Sequence, residues 1–189
     1  MRWFTAADCA RLGDQAPLAG SVIVLGMELM PTTEGLGQLH FCTGEEPGPL
    51  WRNVHTVSLN TGDICTVQSS DVLGVLRPEL LPDTAKLQLS QIRPPMAQDL
   101  RHSDPQYSGY CFLEDGRYTS GVWLCSPEEA AAYVKMQAPY QHRIMLCDRD
   151  DFCVLEMKEG RLLHPARPEL DALLRGAAQQ EQTGGITMI

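Results

Sequence analysis

Residues 109–139, GYCFLEDGRYTSGVWLCSPEEAAAYVKMQAP, restrict the possible folds more than any other stretch. Asp115-Gly116 supplies the two positive-φ positions of a type I′ turn and so predicts a hairpin. A two-residue loop sets Glu114 opposite Arg117, an attractive cross-strand pair. That register puts Tyr110, Phe112, Thr119, Trp123 and Cys125 on one face, and Cys111, Leu113, Tyr118, Val122 and Leu124 on the other. Ser126 then reads as a helix N-cap, Pro127 as the first helical residue and Glu129 as the partner in an S-x-x-E capping box. Pro139 forbids continuation, so the helix ends near Ala138.

HRIMLC and FCVLEM flank the polar loop DRDD. Pairing Cys147 with Phe152 also sets Arg143 opposite Glu156, and it puts Cys147 and Cys153 on opposite faces. Glu159-Gly160 turns the chain into RLLH, and Pro168 opens a helix reaching about Arg175. The resulting order is ββαβββ plus a C-terminal helix.

The N-terminal half is also strand-rich. Thr5 and Asp8 give a capping signal for a short helix ending at Gly13. SVIVLGMEL, QLHFCT, RNVHTVSL and ICTVQ read as strands, with TGEEPGP as a loop and a tight turn at Thr61-Gly62. DVLGVL, capped by Ser70, reads as a short helix, and the alternation in TAKLQLSQI reads as a further strand. The prolines and lost periodicity of RPPMAQDLRHSDPQYSG mark a connector. The expected class is α+β, with two mixed halves of mainly antiparallel sheet. Their bounds are residues 1–92, a connector at 93–108, the second half at 109–175 and a flexible tail at 176–189.

Charge narrows the function. Acidic residues outnumber basic ones 24 to 15, a net charge of −9. The excess is spread evenly, with 10 against 6 through residue 95 and 14 against 9 beyond it. Without a basic cluster, neither nucleic acid nor an anionic membrane is an expected partner. The longest apolar run, VIVLGMELM, is too short to span a bilayer. Seven cysteines with no CxxC pair suit a reducing, cytoplasmic setting in which all seven are thiols.

Cys125, just before a helix N-terminus, is where a thiolate gains most from the helix dipole, but Glu128 and Glu129 oppose it. His40 and Cys42 share a strand face, yet His55 and Cys65 fall on opposite faces, so no third metal ligand emerges and no metal or cofactor is expected. His40 reads as a half-exposed strand residue. DRDD lacks the ligand spacing of a calcium loop. The leading expectation is a non-enzymatic cytoplasmic binding protein, an inhibitor, immunity-type neutraliser or adaptor. It would recognise a protein partner of basic or mixed surface through Glu45 and Glu46 in one loop and Asp148, Asp150 and Asp151 in another. One alternative is a small hydrolase or transferase with Cys125 or Cys42 as nucleophile. Another is a small-molecule-binding regulatory domain with a pocket between the halves.

Overall fold

A hairpin followed by a capped helix does form after residue 106, within an α+β chain whose described residues build two antiparallel sheets and three α-helices. The computed structural model describes residues 2–10, 17–26, 35–95, 104–164 and 167–183. The chain divides into Met1–Leu89 and Ser90–Ile189.

In the first unit, β1 (Cys9–Ala10), β2 (Val22–Leu25), β3 (Leu39–Glu46), β4 (Asn53–Ser58), β5 (Ile64–Gln68) and β6 (Val72–Leu76) form a six-stranded sheet. Its order is β1-β6-β2-β3-β4-β5. The four residues of β2 are fully buried, and the iBiBiB burial of β4 is that of a strand with one face on the core. Ile23, Leu25, Cys42 and Val54 pack with Leu18 on one face.

Several local expectations change here. The Thr5 helix is a single 3-10 turn, Ala6–Asp8, because Cys9 pairs with Leu76 instead of continuing it. Gly13 lies outside the described residues. Thr43 to Glu46 belong to β3, which a register shift between Cys42 and Gly44 carries into the first four residues of the expected loop. DVLGVL is strand β6, where Gly74 has φ +150 and an added Cβ would lie 2.8 Å from that of Cys9. TAKLQLSQI instead contributes to helix α1 (Asp83–Leu89), whose Ala85 and Leu89 are buried four residues apart. The β4–β5 turn pairs Val57 with Ile64, two residues from the expected register. His55 and Cys65 still face opposite ways.

The second unit pairs β7 (Tyr107–Phe112), β8 (Val122–Leu124), β9 (Arg143–Asp148), β10 (Cys153–Lys158) and β11 (Arg161–His164) in the order β11-β10-β9-β7-β8. With α2 (Pro127–Gln137) and α3 (Pro168–Thr183) the order is ββαβββα. Helix α2 covers the face carrying Gly109, where an added Cβ would lie 2.6 Å from the Tyr133 ring, and α3 packs on α2. α3 runs on past Arg175, so the expected tail is helical as far as Thr183.

Two hairpins differ in register from expectation. Leu113 N–H donates to Arg117 O at 2.8 Å, enclosing three residues that end in Gly116 at φ +84. Arg117 therefore pairs with Asp115, not Glu114. Tyr118 moves onto the Phe112 face, with ring centroids 5.0 Å apart. Further on, Ser108↔Trp123 recovers the expected register. In the β9–β10 hairpin a shift between Cys153 and Leu155 sets Cys153 directly opposite Cys147, overturning their expected separation. Arg143 still reaches Glu156, at 2.8 Å, although its ladder partner is Lys158.

Candidate functional site

The β3–β4 connection, residues 47–52, presents two adjacent exposed large apolar side chains, in a unit where Ile64 of β5 is also exposed. Leu50 is 86% exposed and Trp51 53%. The tip is held from several sides. At position 48 only glycine fits, since a Cβ would lie 2.0 Å from the Trp51 carbonyl oxygen. At the base, Arg52 forms an ion pair with Glu45 at 2.6 Å, its N–H donates to Ser69 Oγ, and its carbonyl accepts from Ser69 N–H. Glu45 is thus a structural carboxylate, and it also accepts from the Leu18 N–H at 2.7 Å. Glu46 remains largely solvated, 3.4 Å from His55.

The DRDD turn divides its acids in the same way. Asp148 accepts from the N–H groups of Asp150 and Phe152, both at 3.0 Å, and pairs with Arg167. Partial burial opposes its ionisation, but these N–H donors and the guanidinium outweigh it and hold the carboxyl below its usual pKa. Asp150 and Asp151 are exposed, and Phe152 beside them is 69% exposed. Of the five acids expected to bind, Glu46, Asp150 and Asp151 face solvent, while Glu45 and Asp148 organise their own loops.

The cysteines are mostly committed to packing. All seven are free thiols. Cys42 is fully buried and donates to the Gly44 carbonyl; burial pushes its thiol up to about 11. Cys111, against Tyr133 Oη at 3.2 Å, is pushed by burial to about 12. Cys125 is buried before α2, with its sulfur 3.5 Å from Arg93 Nη2 and its N–H donating to Glu129 Oε2 at 2.6 Å. No histidine hydrogen-bonds to Cys125 or Cys42 among the described residues.

The thiol that the fold brings to an imidazole is Cys65, 3.6 Å from His40 Nδ1, with Thr56 Oγ1 within 3.1 Å of both. His40 is not half-exposed but 1% exposed. Burial depresses its pKa, opposed by the Gly37 carbonyl. A neutral, buried imidazole is a weak base for drawing a proton from a thiol. No three His, Cys, Asp or Glu side chains gather as a metal site among the described residues.

A cleft of about 450 Å³ in the second unit is lined by Phe112, Leu113, His142, Arg143, Glu156 and Lys158, among others. Its central cation, Arg143, is neutralised by Glu156 and lies over the Phe112 ring.

Sequence reasoning singled out the acids of GEEPGP but missed Leu50 and Trp51 directly after it. Their signal was two bulky apolar residues behind Pro-Gly-Pro, in a segment with no strand or helix period to bury them. The chain matches no protein-family model, no curated protein and no solved structure.

Proposed function

We propose that the protein works by binding another protein, with the 47–52 hairpin tip as its contact surface and Glu46 at the rim. The observation that carries this is the tip itself, where Leu50 and Trp51 stand in solvent on a turn fixed by Gly48 and the Glu45–Arg52 pair. Tryptophan is the side chain most enriched among interface anchors, and an anchor already held in place loses little freedom on docking. The partner would offer an apolar pocket with a basic rim, matching Glu46 and a chain of net charge −9. The same charge disfavours a phosphate backbone or an anionic membrane, and no described helix is long and apolar enough to cross one. The exposed Asp150, Asp151 and Phe152 repeat the pairing of acid and aromatic in the second unit.

The test is capture of partners from source cells by the wild-type chain and by a Leu50→Ser, Trp51→Ser double variant, followed by association kinetics with the purified partner. The double variant should lose roughly 2–4 kcal/mol of affinity. Glu46→Gln should slow association at low salt and leave it unchanged at high salt. Wild-type affinity in the double variant would place the site elsewhere.

A further inference from the structure

We propose that Cys147 and Cys153 are a redox-active dithiol, a modification site that closes to an intramolecular disulfide when the chain meets a peroxide. The geometry comes from the β-bulge. Along the rest of the β9–β10 ladder, Leu155 faces Leu146 and Glu156 faces Met145, a register that would carry Cys153 to the opposite face from Cys147. The extra residue at Val154 reverses this and makes the two cysteines direct cross-strand partners. Directly opposed residues of antiparallel strands have Cα atoms about 4.5 or 5.5 Å apart, inside the range of about 4.4–6.8 Å that a disulfide spans.

A second observation marks the same row of the sheet. Ser108, on β7, lies opposite Cys147 on its other side. Its hydroxyl is buried and makes no hydrogen bond among the described residues. It is an unused donor beside the place where a thiolate or a sulfenic oxygen would form. The row across three strands is thus Ser108, Cys147, Cys153.

Environment assigns the order of events. Cys153 is partly exposed and meets the oxidant first. Cys147 is buried, and burial, then the neighbouring Cys153, Asp151 and Asp148, raise its pKa, which keeps it a thiol while Cys153 reacts. The Cys153 thiolate attacks one peroxide oxygen and the O–O bond breaks, giving a sulfenic acid and hydroxide, which takes up the proton that the Cys153 thiol released and leaves as one water. Cys147 sulfur then attacks Cys153 sulfur, the S–O bond breaks, and the hydroxyl leaves as a second water with the proton from Cys147. Two thiols lose two electrons, hydrogen peroxide gains them, and a dithiol reductant reverses the change. The new bond ties together the ends of the turn that displays Asp150, Asp151 and Phe152, but the chemistry does not depend on the proposed binding role.

The experiment treats the reduced full chain with a small molar excess of hydrogen peroxide, blocks remaining thiols, and maps tryptic peptides without reduction. Cleavage after Arg149 separates the two cysteines, so the disulfide appears as a linked peptide pair lighter by two hydrogens. That pair should form before any loss of Cys9 or Cys65, the other partly exposed thiols. Cys147→Ser should leave Cys153 as a sulfenic acid that a cyclic dione traps, and Ser108→Ala should slow closure. Circular dichroism checks that each variant is folded. Oxidation of Cys9 or Cys65 at the same rate with no linked pair, or no dione adduct in folded Cys147→Ser, would overturn the proposal.

Discussion

Ser126 and Glu129 share the start of α2 differently from the way a capping box shares it. The Ser126 hydroxyl accepts from Glu129 N–H at 3.1 Å, as an N-cap should. The Glu129 carboxylate reaches back one residue further, to Cys125 N–H, and is held by Arg93 through Nε and Nη2, each at 2.9 Å. Glu129 is therefore a buried charge paired with a cation, and Arg93, placed in the connector on sequence grounds, is tied to α2. The two residues should respond differently to mutation. Ser126→Ala loses one N–H acceptor and should cost about 1 kcal/mol. Arg93→Ala strands a buried carboxylate and should cost more, about 3 kcal/mol, the lower end for broken buried pairs because Arg93 is itself partly exposed. Chemical denaturation of both variants gives the comparison, and equal midpoints would mean that water takes over from Arg93.

At the scale of elements, the close approach of α2 to its sheet rests on Gly109. The Tyr133 ring that fills the space above it is fixed by its hydroxyl, which donates to the Ser90 carbonyl at 2.8 Å. Gly109→Ala should therefore cost roughly 1–3 kcal/mol by overpacking. A denaturant midpoint equal to wild type would show that the helix can shift away. The sequence made α2 legible because Ser126, Pro127 and Pro139 act locally, each through its own backbone. Segments decided by packing were not legible in this way. In TAKLQLSQI, Ala85 and Leu89 fit alternation and a helical i, i+4 pair equally well, and the choice lies in burial against the rest of the unit. DVLGVL looks like a helix after its cap until it is placed between β1 and β2, where Val72 and Val75 suit a pleated surface. Bulges were invisible for the same reason. One extra residue at Thr43 carried β3 on to Glu46, and another at Val154 brought Cys153 to Cys147. The candidate site was half legible: the acids of the two loops stood out by type, whereas the exposure of Leu50 and Trp51 depends on what the fold leaves uncovered.

For the whole molecule, stability against pH should differ between the two units, because their perturbed groups differ. His40, in the first unit, has its pKa lowered by burial. Below about pH 6.5, where an unfolded histidine titrates, the unfolded state binds the proton that the folded site excludes, so stability falls as pH falls through that window. The carboxylates behave alike in both units. Thr5 N–H and Arg2 hold Asp8 below its usual pKa, and Arg117, through its N–H and side chain, does the same for Asp115. Asp148 is held low as described. Their contribution is complete above about pH 4 and is lost only as pH drops below it. Amide hydrogen exchange followed across an acid titration should thus show the first unit losing protection from about pH 6.5 downward, while the second holds until the carboxylate range. His40→Gln keeps a polar side chain at the site but cannot take up a proton, and it should abolish the early loss without touching the late one. An early loss that persists in folded His40→Gln would mean that another group of the first unit, and not the buried imidazole, sets its sensitivity to mild acid.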